Sequence, residues 1–209
     1  MTEPPAVREP QQRRSRATWS RVLEAGLELL EARGYAALTI EAICKRAQTT
    51  PPAIYARAGN KEGLLVAIYE RAMERIEATG IDPADPVWAR LRADELVRRA
   101  VDAVSRIWFE HAGLLRPIVH RAADDPEIFR RGSAASRGLA ADFRTVLAIA
   151  GVDPVEADMA FRVVYAAVVH RVMYGEAFES DVRLPDRTFT RMLGDVTVRY
   201  LQLQRGGTS

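Results

Sequence analysis

A single cysteine, Cys44, occurs in 209 residues, so no disulfide can form within the chain. One lone thiol fits a reducing, cytoplasmic setting. No apolar run approaches the ~20 residues that a membrane span needs, so no membrane partner is expected. The opening MTEPPAVREPQQRRSR lacks the apolar core of a secretory signal. Histidine is scarce too. His111, His120 and His170 stand at spacings that fit no zinc motif, and Cys44 is distant from all three, so no metal site is expected. There is no glycine-rich phosphate loop, no serine elbow and no clustered acid–base set. Asp124–Asp125 reads most simply as a helix cap. The expectation is therefore a protein that is not an enzyme and carries no cofactor.

What is present begins with uneven charge. The overall net charge is +2, but residues 8–61 carry ten Lys/Arg against five Asp/Glu, a net of +5. Residues 62–209 carry twenty against twenty-two, a net of −2. Positive charge concentrated in the first quarter suits a polyanionic partner; an ordinary solvated face is the alternative.

The chain reads as helices throughout, with no strand alternation, long repeat or low-complexity tract. Trp19, Val22, Leu23, Gly26, Leu27 and Leu30 mark one face of a helix over about 17–32, stopped by Gly34. Thr39 is a suitable N-cap for a second helix over 40–47, with Ile40, Ile43 and Cys44 facing inward. A long helix is expected over about 61–78. Asp85–Pro86, Asp125–Pro126 and Asp153–Pro154 each combine a favoured N-cap with a proline tolerated at the first helical position. They predict helices over about 86–110, 126–150 and 154–176. A shorter one is expected at 113–123 and a last one at 186–204. In the helix from 86, Val97, Val101, Val104 and Trp108 are expected to face inward. Residues 1–15 are expected to form a disordered basic arm. Its Arg8, Arg13 and Arg14, with Arg16, would either reach neighbouring phosphates or serve as a solubilising tail.

Between the second and fourth helices lies AQTTPPAIYARAGNKEG, residues 47–63. Two short helices joined by a tight turn form a helix-turn-helix plan. Thr50 can cap the second of them. Prolines are tolerated there because the first N–H groups of a helix lack internal partners. A residue preceding proline is pushed away from helical geometry, which leaves the start between Pro51 and Pro52. In this plan the N-terminal end of the second helix meets base edges. Proline rings would offer apolar contact there, for example to a thymine methyl, and base reading would rest on Thr49, Thr50, Tyr55 and Arg57. Lys61, a cation at a helix start, is rationalised by an external anion.

Residues 16–66 resemble the N-terminal domain of the TetR family of transcriptional regulators. The resemblance rests on the amphipathic first helix, the Gly34–Tyr35 break, LTIEAICKRA, and IYARAGNKEGLL, with Ile54–Tyr55 followed by Lys61–Glu62. It implies that Tyr55 contacts the DNA backbone or a base, and that Lys61, Thr39 and Thr50 bind phosphates. It also implies an all-α fold: a three-helix helix-turn-helix domain at 16–62, then a helical ligand-binding and dimerisation domain at 63–209. The chain departs from the family pattern at Gln48, usually glycine, and at Pro52, often glycine or another small residue. It also departs at Arg57, commonly histidine, and at Ala58, usually an aromatic. These departures bear on the operator sequence more than on binding.

In the C-terminal part, Trp108, Phe109, His111, His120, Phe161, Tyr165 and Tyr174 are candidates to line a pocket for a small hydrophobic or amphipathic effector; ordinary core is the alternative for each. On the last helix Phe189, Met192, Leu193, Val196, Tyr200 and Leu201 form an apolar stripe. The preceding helix is apolar nearly all round, from Val155 through Phe161, Val164, Val168 and Val172, so it must be buried on more than one side. A homodimer is expected through Phe161, Val168, Phe189, Leu193, Val196 and Tyr200, matching a palindromic double-stranded DNA operator. The function expected is a cytoplasmic DNA-binding regulator, a repressor released by a small molecule. A different class, a ligand-sequestering protein whose DNA head no longer functions, is the alternative suggested by Ala58 and the paired prolines.

Overall fold

The computed structural model describes residues 11–202, the side chains from 14 onward. Among them every regular element is a helix. In order these are α1 (Gln11–Arg33), α2 (Ile40–Ala47), α3 (Pro51–Ala58), α4 (Lys61–Glu77), α5 (Ala93–Glu110), α6 (Ala112–Ala122), α7 (Pro126–Ile149), α8 (Pro154–Tyr174) and α9 (Asp186–Tyr200). Short 3-10 turns occupy Tyr35–Ala37 and Trp88–Arg90. None of these helices is long and apolar enough to cross a membrane. The chain divides into two compact units, one ending at Arg75 and the next beginning at Ile76.

In the first unit the expected face of α1 is the buried one: Val22, Gly26, Leu27 and Leu30 are enclosed. Gly34 ends the helix at φ 71°, its N–H donating to Leu30 O at 2.8 Å. The helix starts earlier than expected. Residues 11–15, read as part of a disordered arm, are helical, while Arg8 lies outside the described residues. Leu64, Ile68 and Ala72 of α4 complete the core. At Gly26 an added Cβ would fall 2.4 Å from Ile68 Cδ1, so the missing side chain is what allows that approach. Glu24 on α1 accepts hydrogen bonds from both Arg71 and Arg75 on α4.

The second unit is organised around α5. Val97, Val101, Val104 and Trp108 are buried as expected, with Leu96 and Ala100 beside them. Asp125 and Asp153 cap α7 and α8, each carboxylate accepting two backbone N–H groups, from Glu127 and Ile128 and from Val155 and Glu156. Asp85–Pro86 does not open a helix. Its carboxylate accepts from Val87 N–H at 2.9 Å in a turn, and the Trp88 indole N–H donates to Asp82 O at 2.8 Å. α5 starts instead at Ala93, where Glu95 Oε2 accepts from the Arg92 N–H at 3.4 Å. α9 packs against α5 at Gly194, where an added Cβ would meet Arg98 Cγ at 3.3 Å.

Candidate nucleic-acid interface

Thr39 caps α2, its hydroxyl oxygen accepting from Ala42 N–H at 3.1 Å. That use of the oxygen leaves the hydroxyl hydrogen for an outside acceptor. The turn after α2 is made by Gln48 in the left-handed region, φ 52° and ψ 54°. A position where glycine is unstrained thus holds a side-chain-bearing residue, at a cost of about 1–2 kcal/mol. Thr49 N–H donates to Cys44 O at 3.1 Å, closing the turn. Cys44 is half-buried, and burial raises its thiol above the ordinary value.

α3 begins at Pro51, the earlier of the two starts left open by sequence. Thr50 is extended and its side chain makes no capping bond. Its carbonyl accepts from both Ala53 N–H (3.1 Å) and Ile54 N–H (3.3 Å), while Pro51 and Pro52 have no N–H. α3 is anchored by one fully enclosed side chain, Ile54. Around it Thr50, Pro51, Pro52, Ala53, Tyr55, Ala56 and Arg57 are exposed. Tyr55 is 40% exposed. Arg57 does not project freely; its guanidinium lies over the Trp19 ring of α1, 5.4 Å from the centroid.

The α3–α4 junction is tightly built. Gly59 turns the chain at φ 76°, and Asn60 Oδ1 accepts from Gly63 N–H at 2.8 Å, capping α4. A Cβ at residue 63 would lie 2.1 Å from Ala58 O, so only glycine fits. Lys61 is exposed at the first position of α4. Gly59–Asn60 is the closure of α3 expected from the sequence, but the Asn60 cap on α4 and the need for glycine at 63 are not legible there. Thr39, Thr50, Tyr55 and Lys61 are thus all exposed in the first unit.

The second unit treats the expected effector-lining residues unequally. Trp108, Phe161 and Tyr165 meet: Tyr165 lies 5.4 Å from each of the other two ring centroids, and Phe143 joins through Phe161 at 5.6 Å. The Tyr165 hydroxyl is 2.7 Å from Ser136 Oγ; burial raises its pKa, and the Ser136 bond opposes that. His111 is half-buried, its Nε2 3.0 Å from Thr79 Oγ1. Phe109 is paired edge-on with Phe189, 6.4 Å between ring centroids. His120 is exposed on α6, and Tyr174 is exposed and stacked on Phe178 at 4.7 Å, so neither joins the cluster.

The expected dimer residues divide in the same way. Phe161, Val168 and Leu193 are buried in their own unit, and Phe189 is half-buried beneath Arg171, whose guanidinium is 4.7 Å from its ring. α9 turns its Leu193 side toward α5. Val196 and Tyr200 are exposed, and Met192 extends them into an i, i+4, i+8 stripe. Val155, Met159 and Val163 form the corresponding stripe on α8, with Val155 as much as 77% exposed.

The two short helices α2 and α3, joined by a tight turn, follow a helix-turn-helix plan. Residues 22–68 match the family model described as bacterial regulatory proteins, tetR family. No curated protein matches the chain. Solved structures with the same fold include Salmonella enterica GusR, with a TM-score of 0.65 and 20% identity, covering 95% of this chain and 100% of that one. They also include a transcriptional regulator from Rhodococcus sp. Rha1 (0.65 and 14%, covering 88% and 95%). A third is the TetR family transcriptional regulator PfmR from Thermus thermophilus (0.60 and 20%, covering 86% and 97%). The family match is confined to residues 22–68, and the likeness to these solved structures is one of fold over most of the chain.

Proposed function

We propose that the protein is a one-component transcriptional repressor that binds a palindromic operator as a homodimer and is released by a small hydrophobic or amphipathic molecule. The observation that carries this reading is the exposed set Thr39, Thr50, Tyr55 and Lys61 on a tetR-family helix-turn-helix segment. Two hydroxyls, a phenol and an ammonium suit phosphate oxygens, which position such a head on the duplex. The exposed apolar stripes of α8 and α9 support the dimer: large apolar side chains in regular rows mark association surfaces. The Trp108–Phe161–Tyr165 cluster, with its Ser136–Tyr165 polar pair, supports an effector of mainly apolar character. The proposal places the protein in the cytoplasm with its DNA and gives it no reaction to catalyse.

Selection of genomic fragments by the purified protein tests this directly. Enrichment of palindromic fragments, bound with an affinity that falls as salt rises, is the expected result. No enrichment, together with tight binding of an apolar ligand, would favour the ligand-sequestering alternative.

A further inference from the structure

We infer that the leading end of α3 recognises the C5-methyl group of a pyrimidine rather than the hydrogen-bonding pattern of a base. This rests on the DNA-binding reading above. The leading end of a helix ordinarily offers free N–H groups to phosphates or bases. Here the donors of the first helical residues are gone, and at the cap Thr50 keeps a hydroxyl that the reading above gives to a phosphate. Pro51 and Pro52 have none, and the next two, on Ala53 and Ile54, are both taken by Thr50 O at 3.1 and 3.3 Å. What the end presents is apolar: the two proline rings and the Ala53 methyl, all exposed. Arg57, the longest donor on the helix, is drawn back over Trp19.

In the major groove the one apolar feature of a base pair is the thymine methyl. Cytosine lacks it, and 5-methylcytosine carries it at the same place. An apolar end whose helical residues have no free N–H gains from burying that methyl and gains little from the amino and carbonyl groups beside it. The two pyrimidines should therefore be distinguished by methylation more than by identity.

The experiment uses the full chain and the duplex it selects from genomic fragments. Each thymine is replaced in turn by deoxyuridine, which removes only the methyl. At least one position per half-site should lose about fourfold in affinity, the equivalent of ~0.8 kcal/mol for one buried CH₂-sized group. At that position a 5-methylcytosine–guanine pair should bind about fourfold tighter than cytosine–guanine. In the P51S/P52S variant the difference between thymine and deoxyuridine should shrink, whatever happens to overall affinity, because only the Ala53 methyl remains of the apolar end. Binding that is indifferent to deoxyuridine at every thymine overturns the inference and leaves the DNA-binding reading standing. A difference that persists undiminished in the variant also overturns it. If no fragment is bound at all, the DNA-binding reading fails and takes this inference with it.

Discussion

The Arg57 guanidinium rests on the Trp19 ring, 5.4 Å from its centroid, and joins the exposed face of α3 to α1. With only Ile54 fully enclosed on α3, this contact is a second point of attachment. A double-mutant cycle of Trp19→Leu and Arg57→Ala, read by denaturant unfolding, should give a coupling of about 0.5–1 kcal/mol. Additive effects would show that the stack contributes nothing to holding the helix.

Gly63→Ala should be far more damaging than its size suggests. The new methyl would fall 2.1 Å from the Ala58 carbonyl, which belongs to the backbone and cannot swing aside. A cost of about 1–3 kcal/mol is expected from such overpacking. The end of α3 must shift, so DNA affinity should drop together with the melting temperature. A variant that melts normally would mean the junction is looser than described.

Much of this head was legible from sequence, and the reason is local. Thr39 and the Gly34 stop are signals written in single residues, whereas the start of α3 stayed open between Pro51 and Pro52 and Thr50 makes no side-chain cap. The helix over 86–110 was misplaced at its start because an Asp-Pro pair serves a turn as well as a cap. The true start at Ala93 follows Arg92, a poor capping residue, and offered only the Glu95 signal. Leu193 and Val196 were not separable at all. Both belong to one apolar stripe, and only the docking of α9 on α5 through Gly194 decides that Leu193 turns inward and Val196 outward.

Arg98 on α5 donates to Asp195 of α9 at 2.9 Å and to Asp94 at 2.7 Å. The Arg98 hydrogen bond holds the Asp195 carboxyl below its ordinary 3.8. At Asp94 burial pushes upward, but the Arg98 bond and the charges of Arg92 and Arg98 outweigh it. Both pKa values are depressed in the fold, so their stabilisation is complete above the unfolded value and is lost as pH falls through the folded one. The melting temperature of the protein should fall as pH drops below 3.8, less steeply in Asp195→Asn. Equal slopes for the two proteins would remove this network from the acid response.

Val196→Glu should separate the proposed dimer without unfolding either unit, because residue 196 is 53% exposed and its replacement disturbs no core. Sedimentation should report a dimer for the native chain and a monomer for the variant. Leu193→Glu should instead unfold the second unit, since that side chain is buried.

The most direct test is the salt dependence of binding to the selected fragment, measured for the native protein and Lys61→Ala. Lys61 stands exposed at the start of α4, where a cation gains nothing from the helix and would gain from a phosphate. For the native chain log K should fall linearly with log salt, and the variant should bind more weakly with a slope smaller by about 1. A salt-independent affinity, or no fragment bound by the native protein at all, would contradict the account.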